Sequence, residues 1–186
     1  MKKYDIILCD PPWSYRAWCK KDMARTAESH YPTMCLEAIQ TLPVKDLAAK
    51  DCALFLWATL PTLQEAFSVI TAWGFTYKTV AFVWVKQNRK ASTLFWGLGH
   101  WTRANAELCL LATKGHPKRR SASVHQIIFS PIEEHSKKPD EARDRIVTLM
   151  GDLPRVELFA RQETPGWDVW GNEVTSSPGL LDRLPC

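Results

Sequence analysis

Short apolar runs recur along this chain, separated by polar stretches and by stretches of helical periodicity. Each run is bounded by polar or turn-forming residues, which is typical of buried strands. We predict seven strands from these runs: Tyr4–Cys9, Ala53–Ala58, Lys78–Val85, Glu107–Ala112, Val124–Phe129, Val156–Phe159 and Asp168–Trp170. The intervals between several of them are long enough to hold helices.

Helical periodicity fills three of those intervals. A short helix is predicted near Leu36–Gln40, and a longer one runs from Pro61 to about Trp73, with apolar residues at helical spacing. A third begins at 139–141, where a proline precedes two acidic residues. Strands that alternate with helices predict a single Rossmann-like α/β domain: a mostly parallel twisted sheet with helices on both faces. We assign residues 1–173 to this domain and residues 174–186 to a turn-rich, disordered tail.

The first predicted strand ends in Asp10-Pro11-Pro12-Trp13, which combines the groups needed to methylate an aromatic amine. The Asp10 carboxylate and the Pro11 carbonyl are two acceptors for amine hydrogens. Trp13, and Tyr15 beyond it, offer faces on which a base can stack. Acceptors that draw electron density onto an attacking nitrogen help most in the transition state, so the run predicts catalysis rather than binding alone.

A second unusual segment, residues 87–105, fits none of the predicted elements, and we call it the basic aromatic segment. It combines Phe95, Trp96 and Trp101 with Arg89 and Arg103. Stacking rings beside cations favour single-stranded or flipped bases, so we predict a nucleic-acid contact here. A locally packed insertion is the alternative. A further basic cluster at 114–120 is an equally open candidate for phosphate contact.

Composition narrows the function classes only modestly. The 186 residues carry a formal net charge of +4, which is compatible with nucleic acid without requiring it. Six scattered cysteines show no metal-ligand spacing, so we expect reduced thiols, a cytoplasmic location and no metal. Because no run is apolar enough to span a bilayer, we expect no membrane association. Most of the nine tryptophans should be buried.

Several segments, taken in order, resemble one family: the N6-adenine methyltransferases related to the catalytic subunit of the eukaryotic messenger-RNA adenosine methyltransferase. That family also has bacterial and phage members thought to act on DNA. The matching segments span almost the whole chain. They are residues 10–13 (DPPW), 30–34 (HYPTM), 54–57 (LFLW), 83–86 (VWVK), 99–101 (GHW) with Glu107, 138–141 (KPDE), 157–161 (ELFAR) and 171–173 (GNE).

The resemblance implies a methyltransferase fold of permuted motif order, in which the catalytic motif (Asp10, Pro11, Pro12, Trp13) precedes the cofactor-binding motif. It implies S-adenosyl-L-methionine as methyl donor, with Asp10 serving both the donor and the target amine. Lys138 would hold the methionine end. The remaining cofactor-binding residues that it implies are Glu157, Phe159, Arg161, Asn172 and Glu173. The substrate-facing residues that it implies are Tyr31, Lys86, His100, Trp101 and Glu107, to which the residue pattern itself adds Arg103 and Tyr15.

Departures from the family pattern leave the substrate open. The residues after Arg161 lack the eukaryotic His-Asn pair, and no separate target-recognition domain is evident. Specificity is then low, short-range or supplied by a homodimer or partner subunit. We predict an adenine-N6 methyltransferase acting on nucleic acid, with DNA favoured over RNA. An RNA enzyme and a non-catalytic nucleic-acid-binding subunit are the alternatives. A nicotinamide-dependent dehydrogenase is disfavoured because no GxGxxG turn follows a strand.

Overall fold

A single mixed sheet organises the molecule, which we describe from a computed structural model. The structure describes residues 2–14, 33–97, 99, 101–134, 137–180 and 184. Within these residues the chain forms eight strands and four α-helices. The strands are β1 (Tyr4–Cys9), β2 (Ala48–Ala58), β3 (Thr76–Asn88), β4 (Ala91–Leu94), β5 (Ala106–Lys114), β6 (Ile127–Pro131), β7 (Arg155–Leu158) and β8 (Asp168–Trp170). The helices are α1 (Leu36–Thr41), α2 (Val44–Leu47), α3 (Leu63–Ala72) and α4 (Glu141–Met150), with one 3₁₀ turn at Leu60–Thr62.

The strand order is β4-β3-β5-β2-β1-β7-β8, and β6 also pairs with β3. Four strand pairings are parallel and three are antiparallel. Two antiparallel pairings arise because β5 runs against both β2 and β3, and the third joins β3 to β4. The predicted α/β fold class is confirmed. The permuted order is present too, since β1 comes first in the chain and pairs with the late strand β7.

Two apolar layers cover the two faces of the sheet. Ala66, Val69 and Ile70 of α3 pack on one face, and Ala142 and Ile146 of α4 pack on the other. The helical spacing of these residues gives each helix one buried stripe. Six of the nine tryptophans are buried in these layers or at their margins: Trp13, Trp57, Trp73, Trp84, Trp167 and Trp170. No helix of the described chain has the length and apolar character needed to cross a membrane.

The basic aromatic segment contains regular structure that the sequence pattern did not predict. β3 continues to Asn88 and returns through a tight turn into β4. Beyond β4, the Phe95 N–H donates to the Lys86 carbonyl at 2.9 Å, which extends the pairing with β3. The prediction that no element occupies this segment is therefore wrong. Its hairpin was missed because the turn residues Arg89 and Lys90 carry no glycine, asparagine or proline signal.

The tail that follows residue 173 contributes to the core in its described part. Leu180 and Leu184 are each 1 % exposed and belong to the core beneath α3. The Ser177 N–H donates to the Val169 carbonyl at 2.8 Å, and the Ser177 Oγ accepts from the Val169 N–H at 2.9 Å. Two leucines spaced four apart in a polar stretch supply this anchor, which the abundance of turn-forming residues concealed.

Candidate functional site

The carboxyl ends of β1, β2 and β7 meet at one edge of the sheet, which is where ligands bind in open α/β folds. β1 pairs in parallel with both β2 and β7, so the residues that follow β1 and β7 are neighbours. Because β5 is antiparallel, its first residues reach the same edge. The site predicted to lie between Asp10 and Arg161 therefore has the strand arrangement it requires.

A cleft of about 600 Å³, open to solvent, lies at this edge against α4. It is lined by residues from β1, β2, β7, the start of α4 and the loops after β7 and β8. The lining residues are Leu8, Asp10, Trp57, Glu134, Lys137, Lys138, Pro139, Ala142, Arg143, Glu157, Phe159, Arg161, Gln162 and Glu173. Five of the six side chains predicted to bind cofactor beside Asp10 line it; Asn172 is exposed and does not.

Four charged side chains form a chain across the head of the cleft, which we call the charged row. Lys138 Nζ lies 2.7 Å from Asp10 Oδ2 and 3.3 Å from Glu107 Oε2. Lys86 Nζ in turn lies 2.5 Å from Glu107 Oε1. Asp10, Lys138, Glu107 and Lys86 thus alternate in sign. The row links residues predicted for the cofactor side to residues predicted for the substrate side.

Burial and neighbouring charges act on the protonation of the charged row. Burial raises the pKa of Asp10, and Lys138 offsets this rise only in part. Burial also acts to raise the pKa of Glu107, but the ammonium groups of Lys138 and Lys86 outweigh it, so the pKa is lowered. Burial acts to lower the pKa of Lys138, yet its two carboxylate partners outweigh it and raise the pKa. Lys138 is therefore a fixed cation and Asp10 is the proton-sensitive member.

The turn after β1 is fixed mainly by its own backbone. The Pro11 carbonyl accepts from the Trp13 N–H at 2.8 Å, and the Pro12 carbonyl accepts from the Met34 N–H at 2.9 Å. Since a carbonyl has two lone pairs, Pro11 keeps one acceptor position beyond this turn. The prolines supply no donors of their own, so neither needs a backbone acceptor in the turn.

Trp13 differs from its prediction. Its ring is 5 % exposed within the core, and its Nε1 donates to the Trp57 carbonyl at 3.1 Å. The prediction that Trp13 offers a base an open stacking face is therefore wrong for this structure. An indole that is buried and bonded to the end of β2 instead holds the Asp10 turn against the sheet. An apolar aromatic after a proline pair has the same sequence signature in either role.

The far wall of the cleft depends on an unusual turn after β7. Phe159 adopts a φ of 60°, a left-handed conformation that is uncommon for an aromatic residue. The Ala160 N–H then donates to the Trp170 carbonyl at 2.9 Å. At the next residue, Gly171, a Cβ atom would lie 2.2 Å from the Ala160 oxygen, so only glycine allows this approach. Arg161 and Glu173 pair across the two loops, with Nε 2.7 Å from Oε1.

The remaining predicted substrate residues fall into two groups. Trp101 is 98 % exposed, and Arg103 is exposed beside it. Tyr15, Tyr31 and His100 lie outside the described residues. The structure thus brings Lys86 and Glu107 into the charged row and leaves Trp101 and Arg103 exposed on the neighbouring loop.

The basic cluster at 114–120 lies away from the site. β5 begins at the cleft edge near Glu107 and ends at Lys114 on the opposite edge of the sheet. Seven residues of strand separate these two positions, which corresponds to roughly 24 Å. The cluster therefore cannot contact the phosphates next to a base held at Asp10.

Sequence reasoning missed three side chains that shape the cleft. Trp57 lies beneath Lys138, with 5.9 Å between Nζ and the ring centroid. Arg143 joins Glu157 in a buried ion pair, and Gln162 bonds to Asp140. An arginine at a core-facing position of α4, only 8 % exposed, was the one signal that could have been noticed, because a charge is rarely buried without a partner.

Comparison with known proteins places these features in one family. The MT-A70 family model matches residues 4–173. The Type II methyltransferase M.MunI of Mycoplasma sp is 35 % identical over 93 % of this chain and 78 % of its own length. An N(6)-adenosine-methyltransferase MT-A70-like protein of Arabidopsis thaliana is 30 % identical, and the N(6)-adenosine-methyltransferase catalytic subunit METTL3 of Homo sapiens is 27 % identical. The chain spans 24 % and 28 % of those two longer proteins.

Proposed function

The chain belongs to the MT-A70 family and is a methyltransferase of the adenine-N6 class, and from that premise we propose that it methylates DNA with S-adenosyl-L-methionine as the donor. The observation that carries the proposal is the placement of Asp10. Its carboxylate lies at the junction of the cleft with the charged row, within reach of both a small ligand and a polymer. An inert scaffold has no need of an acceptor held there.

The chemical groups of the cleft fit such a donor. Lys138 supplies a fixed cation for a carboxylate at the Asp10 end. The opposite end offers polar groups from Arg161, Gln162 and Glu173, which suit a nucleoside. When bound, the donor supplies a methyl group on a sulfonium, which is already a good leaving group. The protein's own contribution is then placement and polarisation.

Asp10 and Pro11 do the chemical work we propose for this chain. Asp10 Oδ2 is held by Lys138, so its Oδ1 is the oxygen left for the hydrogens of an aromatic amine. The second lone pair of the Pro11 carbonyl provides the other acceptor. As the nitrogen becomes positive in the transition state, both acceptors interact more strongly with it. The proton leaves for solvent after transfer.

The basic aromatic segment is the surface that we propose for the polymer. It joins β3 to β5, whose residues Lys86 and Glu107 form the substrate end of the charged row. Trp96 and Trp101 are 62 % and 98 % exposed, so their faces are available to bases. Exposed Arg103 adds charge that attracts phosphate.

DNA is preferred over RNA because the chain spans most of M.MunI, and type II methyltransferases are a class that modifies DNA. Mass spectrometry of nucleosides tests the proposal. Matched DNA and RNA strands are incubated with the protein and donor, then digested. We expect N6-methyldeoxyadenosine from DNA. If only RNA yields a methylated nucleoside, N6-methyladenosine, the substrate is RNA rather than DNA. If neither polymer yields a methylated nucleoside, the proposed activity is refuted.

A further inference from the structure

A buried, two-pronged ion pair joins α4 to β7 beneath the cleft. Arg143 Nε donates to Glu157 Oε2 at 2.7 Å, and Arg143 Nη2 donates to Glu157 Oε1 at 2.6 Å. The two residues are 8 % and 7 % exposed. Because buried ion pairs often add little stability compared with apolar residues of similar size, this pair calls for a role other than holding the fold together.

The same guanidinium extends the connection to the loop after β7. Arg143 Nη1 donates to Asp140 Oδ1 at 2.7 Å, and Gln162 Nε2 donates to that same oxygen at 2.8 Å. One arginine therefore ties together β7, the start of α4 and the loop that forms the far wall. Arg143, Glu157 and Gln162 all line the cleft.

The two-pronged hydrogen bond from Arg143 leaves some acceptor positions of the Glu157 carboxylate unused by that arginine. Each carboxylate oxygen has two acceptor positions, and Arg143 occupies one on each. Since Glu157 lines the cleft, a remaining position on that side is one that a ligand can reach. An acceptor held there in a fixed orientation matches a hydroxyl group of a ribose.

We infer that Arg143 is a positioning residue, which holds Glu157 oriented toward the ribose hydroxyls of the donor. The inference rests on the proposed function, because it takes the donor to be a nucleoside. Arg143 itself acts through Glu157, and its side-chain nitrogens bond to Glu157 and Asp140 rather than to Asp10, where the methyl group is transferred. Its loss should therefore weaken donor binding and leave turnover at saturating donor unchanged.

α4 offers a matched control two residues further along. Arg145 forms an ion pair with Glu141, with Nε at 2.9 Å and Nη2 at 2.6 Å from Oε1. It does not line the cleft. Arg143→Met and Arg145→Met thus remove the same group from the same helix, and only the first alters the cleft. Arg143→Lys keeps the charge without the fork.

The test measures binding of S-adenosylhomocysteine by calorimetry and the melting temperature without ligand. We expect Arg143→Met to weaken binding about tenfold or more, which is the range for a lost hydrogen bond to a charged group. Arg143→Lys should give an intermediate loss, and Arg145→Met should stay within twofold even if its melting temperature falls. The KM for donor should rise in Arg143→Met while kcat is retained.

A second ligand separates positioning from a structural role. The 2′-deoxy analogue of S-adenosylhomocysteine should bind the wild type more weakly than the parent compound. It should lose little further affinity in Arg143→Lys, because the oriented acceptor is already impaired. Equal losses in both proteins, or unchanged binding in both Arg143 variants, would overturn the inference. A wild type that binds no S-adenosylhomocysteine would instead overturn the proposed function.

Discussion

The two sides of the site differ in burial: one presents buried, paired charged groups and the other presents exposed aromatic rings. On the side proposed for the donor, β7 and α4 bring Arg143 and Glu157 together in a buried ion pair, and Gln162 is bonded to Asp140 at the wall. On the side proposed for the substrate, the basic aromatic segment exposes Trp96 and Trp101. The charged row joins the two. A small ligand of fixed shape suits a wall of paired groups, whereas a polymer of variable sequence suits exposed rings and cations.

This contrast predicts that changes on the two sides separate in their effects. Donor-side variants should alter affinity for the small molecule, and substrate-side variants should alter affinity for the nucleic acid. Variants of Asp10, which lies where the cleft meets the charged row, should reduce turnover most. Four experiments probe this separation, with effects that decrease from the first to the last.

Asp10→Ala should have the largest effect. It removes one of the two acceptors for the target amine, and we expect turnover to fall by about 10²–10³-fold or more, as for other groups that stabilise transition-state charge. The fold should persist because Lys138 keeps Glu107 as a partner. Radiolabel transfer measures turnover, and circular dichroism checks the fold. Near-normal transfer by the folded variant would refute the mechanism.

Acidification should remove activity before it unfolds the protein. Burial raises the pKa of Asp10, so this carboxylate is protonated at a higher pH than the ordinary value of about 3.9. A raised carboxyl pKa means that the folded state binds the proton more readily than the unfolded state does. Protonation of Asp10 therefore blocks the acceptor without destabilising the fold.

The matching variant is Asp10→Asn, which keeps an acceptor oxygen and has no carboxyl to titrate. Its residual transfer rate should depend less on pH along the acid limb than the wild-type rate does. Rates and ellipticity are measured over the same pH series. An identical acid limb in both proteins would assign it to another group.

Trp101→Ala should weaken nucleic-acid binding by an intermediate amount. Loss of one base-stacking ring is worth about 1–3 kcal/mol, or roughly 5- to 150-fold. Donor affinity should be unchanged because the ring is almost fully exposed outside the cleft. Tyr77→Ala is the control, since Tyr77 is 39 % exposed near the start of β3, away from the cleft. Fluorescence anisotropy with labelled DNA measures the affinity for nucleic acid, and calorimetry with S-adenosylhomocysteine measures the affinity for the donor site. Equal losses of the two affinities would contradict a substrate-side role.

Arg119→Ala should have the smallest effect. Arg119 is exposed and belongs to the basic cluster that follows β5 at the opposite edge of the sheet. On a short duplex, loss of Arg119 should change DNA affinity by less than about twofold and leave its salt dependence unchanged. Arg103→Ala should instead reduce the salt dependence of DNA affinity by about one phosphate contact. A reduction of the salt dependence by both variants would place the polymer across both edges.

Much of this arrangement could be predicted from the sequence, because it depends on local patterns. The apolar runs located β1, β7 and β8, and the rule that ligands bind at carboxyl strand ends placed Asp10 and Arg161 at one edge. Lys138, Glu157 and Phe159, which the family resemblance implies for the donor, line the cleft, and their contact with a donor stays a prediction.

The rest depends on contacts between distant residues, which local patterns do not encode. Trp13 bonds to a carbonyl 44 positions away, and Arg143 finds its partner only once α4 packs on β7. The β3–β4 hairpin forms around a turn of arginine and lysine, where register is set by pairing rather than by turn residues. Exposure also had to be observed, since the buried Trp13 and the exposed Trp101 are the same residue type.

A crystal structure of the protein with S-adenosylmethionine would show whether the methyl group is presented to the Asp10 turn. We expect the donor to fill the cleft with its carboxylate near Lys138 and its methyl carbon directed at the oxygens of Asp10 and Pro11. A donor whose methyl carbon points toward Glu173, or that binds outside the cleft, would contradict it.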